Sequence, residues 1–320
     1  MRKVMRNINA PLFLGGAIVL ALIVMAIFAP QLAPRDPHDQ SYPFFMKLEN
    51  GEILTPPFPP TPAFPLGSDN FRRDLLSRAI YGSRFTLAFC ASVLLVRMGL
   101  GVLLGSLAGW NNHADRLISA VAAVYAGLPS IIFALLLIIV IGFFESPQFR
   151  SDVPGIIFRE AGLRGFIIAL SLTGWAEISQ NVRNYVVSIK GRPYIEGAVA
   201  VGLRPRQILW RYVLPQIAPA LMVLAALEMS AILLTVAELG FLGFYIGGGR
   251  MEELATGGWI KVNVAPEWGA MLADTRRWIF GAPWMPLVPA VAFAIAILGF
   301  NLLGEGLRRQ IDPLLAREWA

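Results

Sequence analysis

The chain is poor in the groups that most protein chemistry requires. Its 320 residues include one cysteine, Cys90, and two histidines, His38 and His113, which are far apart in sequence. One thiol cannot close a disulfide, and this set cannot assemble a structural zinc site. Cys90 sits inside an apolar run, where a buried, unreactive thiol is the ordinary outcome. Charge is also scarce: 15% of the residues are Asp, Glu, Lys or Arg, against 56% hydrophobic, with a mean hydropathy of +0.60. Soluble domains carry about a quarter charged residues, so this composition argues against a soluble globular enzyme. No lysine follows a glycine, which excludes the GxxxxGK[ST] loop that cradles phosphates. The HExxH metal pair and the GxSxG nucleophile elbow are missing as well. The net charge of +6 does not point to nucleic acid, because no basic cluster stands free of the apolar segments. The excess reads instead as charge that orients the chain in a lipid bilayer.

What is present is a series of long apolar runs. Arg6 to Arg35 and Arg116 to Glu145 each enclose 28 uncharged positions, and Arg277 to Glu305 encloses 27. Each exceeds the ~20 residues that cross a hydrocarbon core, predicting spans at about 11–33, 117–144 and 283–304. Three more spans are interrupted by charge: about 85–109 by Arg97, 165–187 by Glu177 and Arg183, and 216–243 by Glu228 and Glu238. The expectation is an all-α integral membrane protein with six transmembrane helices. The first run follows Arg2, Lys3 and Arg6 but is too long for a signal-peptide core, so it reads as a retained anchor. Six spans put both termini on one side. Lys and Arg are equally numerous in the two sets of loops, but on the side of the termini they are packed into far fewer residues, which favours that side as the inner one.

The chain divides into residues 1–33, an inner N-terminus and first helix; 34–84, an outer loop; 85–305, a core of five helices; and 306–320, an inner tail. The outer loop is crowded with proline between Pro34 and Pro65, including TPPFPPTP. A long helix is impossible there, and an extended surface segment with polyproline stretches, acting as a stiff spacer, is expected.

The most informative inner loop is an elbow at 190–215. Arg192-Pro193 can open a helix, with Tyr194, Ile195, Ala198 and Val201 at the spacing of one apolar face. Gly202 ends it. Gly197, Ala198 and Ala200 leave part of the helix nearly bare, which permits close approach to another backbone. A second short helix can run from near Pro205 to before Leu214-Pro215, after which the chain turns into the next span. On these grounds alone the elbow could be a simple connector between spans.

Its residues carry a specific likeness. Glu196-Gly197-Ala198, then Gly202, then Leu214-Pro215 resembles the EAA motif of ABC importer permeases, E-A-A-x3-G-x9-I-x-L-P, with Gly197 for the first Ala and Tyr212 for Ile. Leu66-Gly67-Ser68-Asp69, Arg73-Asp74, Ser77-Arg78, Tyr81-Gly82 and Arg84 resemble the LGTDxxGRDxxSRxxYGxR signature of the dipeptide, oligopeptide and nickel permeases. Trp268 to Arg276, Ala282 to Trp284 and Gly299 to Pro313 are similar to that family's closing segment in its C-type subunit. Glu238 is displaced by two positions from the corresponding family glutamate and receives no role by likeness.

The resemblance implies a type I ABC importer permease fold with a coupling helix between the fourth and fifth spans, in a bacterial inner membrane with both termini cytoplasmic. It implies a non-catalytic subunit: ATP and Mg are bound by two partner ATP-binding subunits, a B-type permease completes the heterodimer, and an outside solute-binding protein delivers substrate. The translocated solute would be a peptide or a relative such as a nickel chelate. Glu196, Gly197, Ala198, Gly202, Leu214 and Pro215, with Arg192 and Arg206 as weaker candidates, would meet an ATPase subunit. Ionisable residues within spans are functional candidates because burying charge in hydrocarbon is costly. Arg97 and Glu228 are the deepest, and could line the path, pair with each other or pair with the B-type partner. The other reading is an ion-gradient-driven secondary transporter or channel that uses Arg97 and Glu228 as a charge relay. The absence of inverted-repeat symmetry counts against it.

Overall fold

A computed structural model describes residues 9–47, 53–144, 161–246, 249–253, 259–263, 265–273, 275 and 278–311. Arg2, Lys3, Arg6, Arg276 and the Asp312-Pro313 pair, named in the sequence analysis, lie outside these residues, as does most of the tail. In chain order the elements are α1 (Ala10–Ile27), α2 (Ala29–Leu32), β1 (Met46–Lys47), β2 (Ile53–Leu54), α3 (Leu75–Trp110), α4 (Asn112–Ala126), α5 (Ser130–Phe144), α6 (Ala161–Lys190), α7 (Pro193–Ala200) and α8 (Pro205–Ile208). A π-helical turn at Leu209–Val213 leads into α9 (Leu214–Phe241), followed by β3 (Gly249–Glu253), β4 (Trp259–Asn263), α10 (Trp268–Ala273) and α11 (Trp284–Ile311). β1 with β2 and β3 with β4 form two small antiparallel pairs.

Among the described residues, four helical stretches are long and apolar enough to cross a membrane: α1, α3, the continuous run Pro205–Phe241, and α11. The fifth candidate is bent. The run at 117–144, expected as one helix, is instead α4 and α5 at 95°. The cause is Gly127-Leu128-Pro129: proline disfavours helical backbone in the residue before it and cannot donate to the turn behind. The expected turn at Leu214-Pro215 is also absent. The Leu214 amide donates five residues back to the Leu209 carbonyl, and this wider turn takes up the donor that Pro215 lacks, so the helix runs through.

Helices in lipid gain little from burying apolar groups against one another, so small residues that let backbones approach decide the packing. α3 carries Gly101, Gly105 and Gly109 at four-residue intervals, all facing α6. A Cβ on Gly105 would stand 2.5 Å from the Ser179 carbonyl oxygen, and one on Gly109 would stand 2.6 Å from Val186 Cβ. α1 and α11 meet in the same way through Gly15, Gly299 and Gly306, and Asn9 Nδ2 donates to the Gly306 carbonyl at 2.7 Å. These contacts bring the start of α1 and the end of α11 to one end of the bundle, with the α3–α4 junction, the end of α6 and α7.

The opposite end is closed by the proline-rich segment, which corrects its reading as an extended spacer. Phe58 and Phe64 are fully buried, stacked with ring centroids 5.6 Å apart. The Phe58 amide donates to Ser68 Oγ at 2.8 Å, and the Phe58 carbonyl accepts from the Ser68 amide. The prolines stiffen a segment that two buried phenylalanines pin to the start of α3.

Candidate functional site

The elbow forms as α7 and α8. Helix α7 opens at Pro193 and closes in a Schellman arrangement: the Leu203 amide donates to the Ala198 carbonyl at 3.1 Å and the Gly202 amide to that of Val199 at 2.9 Å. This closure requires a left-handed residue, and Gly202 has φ +88°. A Cβ there would meet nothing within 4 Å, so the demand on Gly202 is conformational rather than steric.

The apolar face of α7 is narrower than its spacing suggested. Ile195 and Ala198 are buried in a cluster with Ile178, Val182, Val186 and Ile189 of α6 and with Ile208, Val213 and Ile217. Tyr194 and Val201, expected on that face, are exposed, Val201 at 84%. The Tyr194 hydroxyl instead donates to Gln216 Oε1. Glu196, Gly197, Val199, Ala200 and Gly202 form the outer face, flanked by exposed Arg192, Arg204 and Arg206. Ala198 packs into the chain's own core, Leu214 is half-buried, and Pro215 is exposed within the continuous helix. Beside this face lies a groove of 370 Å³ lined by Trp110, Lys190, Glu196 and Val199 among others. Lys190 Nζ donates to the Trp110 carbonyl at 2.8 Å, tying the end of α6 to the end of α3. The elbow is thus a partly apolar projection anchored through Ile195 and Ala198.

Arg97 and Glu228 come together. Arg97 Nη1 pairs with Glu228 Oε1, while Nε donates to the Leu170 carbonyl at 2.7 Å and Nη2 to Thr173 Oγ1 at 2.8 Å. Both residues are buried. Gly174 makes room, since a Cβ there would strike the guanidinium. The pair ties α3, α6 and α9 together in the middle of the bundle. Thr173 is its link outward, because it also lines an open cavity of 600 Å³ between α4 and α6, together with Ser119, Tyr125, Glu177 and Gln180. Toward the elbow, Arg183 Nη2 donates to Asp115 Oδ2 at 2.6 Å, and Ser119 Oγ donates to Asp115 Oδ1 at 2.9 Å.

At the other end, the motif residues at 66–84 meet the closing segment. Asp74 caps α3, accepting from the Ser77 amide at 2.8 Å and from its hydroxyl at 2.6 Å. Asp69 pairs with Arg73 at 2.6 Å and lies 3.8 Å from Arg78. Trp268 Nε1 donates to the Ala79 carbonyl at 2.8 Å, over Gly82, where a Cβ would strike the indole. Trp284 covers Gly67, whose φ is +82°. Glu267, fully buried in the loop before α10, accepts from the amides of Gly269, Ile246 and Ala270. Burial pushes its carboxyl up to about 7 against the pull of those amides. Two motifs nearly 200 residues apart therefore build one plate.

Sequence reasoning missed three features that carried signals. The glycine ladder of α3 has a G-x3-G-x3-G spacing. The break at Gly127-Leu128-Pro129 has a turn composition. In α6, Thr173, Glu177, Gln180, Asn181, Asn184 and Ser188 recur at helical spacing on one face. That stripe explains why α6, at 30 residues, is not among the helices apolar enough to span.

A helical bundle with several helices long and apolar enough to cross a membrane, packed through small residues, is the architecture of a multi-pass membrane protein. The model of the family described as "binding-protein-dependent transport system inner membrane component" matches residues 101–317, and that of the "N-terminal TM domain of oligopeptide transport permease C" matches residues 9–57. The di/tripeptide transport system permease protein DppC of Pseudomonas aeruginosa is 32% identical over 308 residues, covering 94% of this chain and 88% of the relative. The glutathione transport system permease protein GsiD of Pectobacterium atrosepticum is 30% identical over 302 residues, 94% and 86% of the two chains. The oligopeptide transport system permease protein OppC of Bacillus subtilis is 26% identical over 310 residues, 97% and 87%. The chain belongs to the family of binding-protein-dependent inner-membrane transport components, and within it to the C-type permeases.

Proposed function

We propose that this chain is the C-type permease subunit of an ATP-driven peptide importer. It forms one half of a translocation path whose other half is a B-type permease, and an outside binding protein delivers the peptide. It crosses the membrane six times, counting α4 with α5 as one broken span and α6 as a span whose polar stripe faces water. Both termini, the elbow and the end of α11 lie in the cytoplasm. The chain itself catalyses nothing: ATP and Mg belong to two partner subunits, and the sequence has no GxxxxGK[ST] motif.

The elbow is the coupling element. Glu196, Gly197 and Gly202 contact an ATPase subunit directly, with Arg192 and Arg206 at the rim. Ala198 and Leu214 hold the elbow to the helices it moves, and Pro215 lies exposed beside it. The observation that supports this most is the split of α7 into two faces: Ile195 and Ala198 anchor it to α6 and the start of α9, while the opposite face is bare and exposed. A short helix with that anchoring transmits a push on its outer face to both spans.

Arg97 and Glu228 serve the path from behind its wall, through Thr173. An ion-gradient-driven transporter that relayed charge over these two residues would have to break their pairing, and would transport without other chains. The test is affinity purification of the tagged chain from native membranes in mild detergent. The proposal expects ATP-binding chains and a second permease to accompany it and ATP to drive peptide uptake after reconstitution. A chain that purifies alone and transports under an ion gradient would overturn it.

A further inference from the structure

We infer that the cavity between α4 and α6 is the subsite for the cationic end of the translocated peptide, with Glu177 as its counter-ion. The inference rests on the peptide-importer reading and deepens it. Three observations support it together. The cavity holds 600 Å³, within the range of small-ligand sites. Its wall carries Ser119, Tyr125, Thr173 and Gln180 as neutral hydrogen-bonding groups, and among the described residues that line it Glu177 alone is charged. The Glu177 side chain is exposed, and no described side chain hydrogen-bonds it.

A carboxylate at the middle of a spanning helix is expensive unless it meets water or a cation. Among the described residues no cation pairs with it. Arg97 is taken by Glu228, and Arg183 by Asp115. The polar stripe of α6 runs through Glu177 from Thr173 to Asn184 and Ser188, so this face lies along a wet route. A free peptide carries one group at its N-terminus that every sequence shares, an α-ammonium with three donors. One carboxylate with flanking hydroxyl and amide acceptors suits that group, while side-chain identity goes unread. Tyr125, held edge-on to Phe133 and Trp175 at centroid distances of 4.9 and 5.4 Å, gives the cavity a fixed aromatic wall. The main rival cation is a basic residue of the partner permease.

The test uses the assembled transporter in lipid nanodiscs, free of nucleotide and of binding protein, with labelled dialanine and its Nα-acetyl derivative as probes. Wild type is expected to bind the free amine at least tenfold more tightly than the acetylated form. Glu177→Gln should remove that preference, and Glu177→Asp should restore part of it, while the second permease still co-purifies. Retained preference in Glu177→Gln, or no preference in a wild-type assembly that imports dialanine, overturns the inference alone. Loss of the partner permease in Glu177→Gln also overturns it, in favour of the inter-subunit pair. An assembly that imports no peptide when given binding protein and ATP overturns the functional reading, and this inference with it.

Discussion

Replacing Arg97 by methionine removes the guanidinium that holds Glu228, the Leu170 carbonyl and Thr173 in one place. The carboxylate left behind is buried, and breaking one member of such a pair costs about 3–5 kcal/mol, because the other charge stays uncompensated. Glu228→Leu alone should cost a similar amount, with the guanidinium now stranded. Removing both charges together leaves no buried ion. Arg97→Met with Glu228→Leu should therefore recover to within about 2 kcal/mol of wild type, the remainder being the Leu170 and Thr173 hydrogen bonds at about 1 kcal/mol each. A double-mutant cycle on unfolding in mixed detergent micelles measures this as a coupling energy of at least about 4 kcal/mol, the two single losses of about 3 kcal/mol each less the roughly 2 kcal/mol of the double variant. Additive single effects would refute the pairing and the reasoning built on it. The double variant also separates strut from path: as a strut behind Thr173, the pair can be replaced with transport largely retained. A stable double variant that imports nothing would place the charges in the path itself.

Three further outcomes follow from the geometry. Gly202→Val forces a β-branched residue into left-handed backbone at about 1–2 kcal/mol; the chain should insert normally, while the assembled transporter hydrolyses ATP without uptake, read as the ratio of peptide imported to ATP consumed. Gly105→Leu drives a side chain into the α6 backbone and should lower the melting temperature of the purified chain, an overpacking cost of about 1–3 kcal/mol. Gly99→Leu on the same helix, where a Cβ meets nothing within 4 Å, should be neutral. Glu267 has a carboxyl value of about 7 when folded, above its ordinary 4.5, so the folded chain holds the proton more tightly and stability falls as pH rises between those values. The loss is full above about 7 and amounts to at most about 3 kcal/mol. Melting temperature against pH should decline over that window, and Glu267→Met should flatten the decline.

Four of the expected spans, and a fifth as a bent pair, were legible because hydropathy acts over about 20 residues at a time; α6 is not apolar enough to join them. α3 begins ten residues before the apolar run because Asp74 and Ser77 cap it and its first turns pack under Trp268, a partner almost 200 residues away. The first helix of the elbow was readable to within a residue, since Pro193 and Gly202 act locally on backbone angles, whereas its second helix runs on into α9. Its faces were not: Val201 has helical spacing with Ile195 and Ala198, but α6 covers too little of α7 to bury it. The proline-rich segment misled for a similar reason. Prolines dictate what the chain cannot form, whereas Phe58 and Phe64 decide where it docks, and only their distant contacts reveal that. Arg97 and Glu228 were visible as costly charges, but their pairing across 131 positions needed the fold. Glu177 was visible too, and its importance emerges only when Arg97 and Arg183 are seen to be occupied elsewhere.

The proposed coupling role of α7 requires that its exposed face touch an ATP-binding subunit. The only native cysteine, Cys90, is buried, so a single cysteine introduced at Val201 gives an unambiguous cross-linking site, with Ala198→Cys as the buried control on the same turn. In native membranes the account predicts that Val201→Cys cross-links to an ATP-binding chain, that the yield changes when ATP is added, and that Ala198→Cys does not react. A Val201→Cys protein that inserts, supports uptake and yields no such cross-link at any nucleotide state would contradict it.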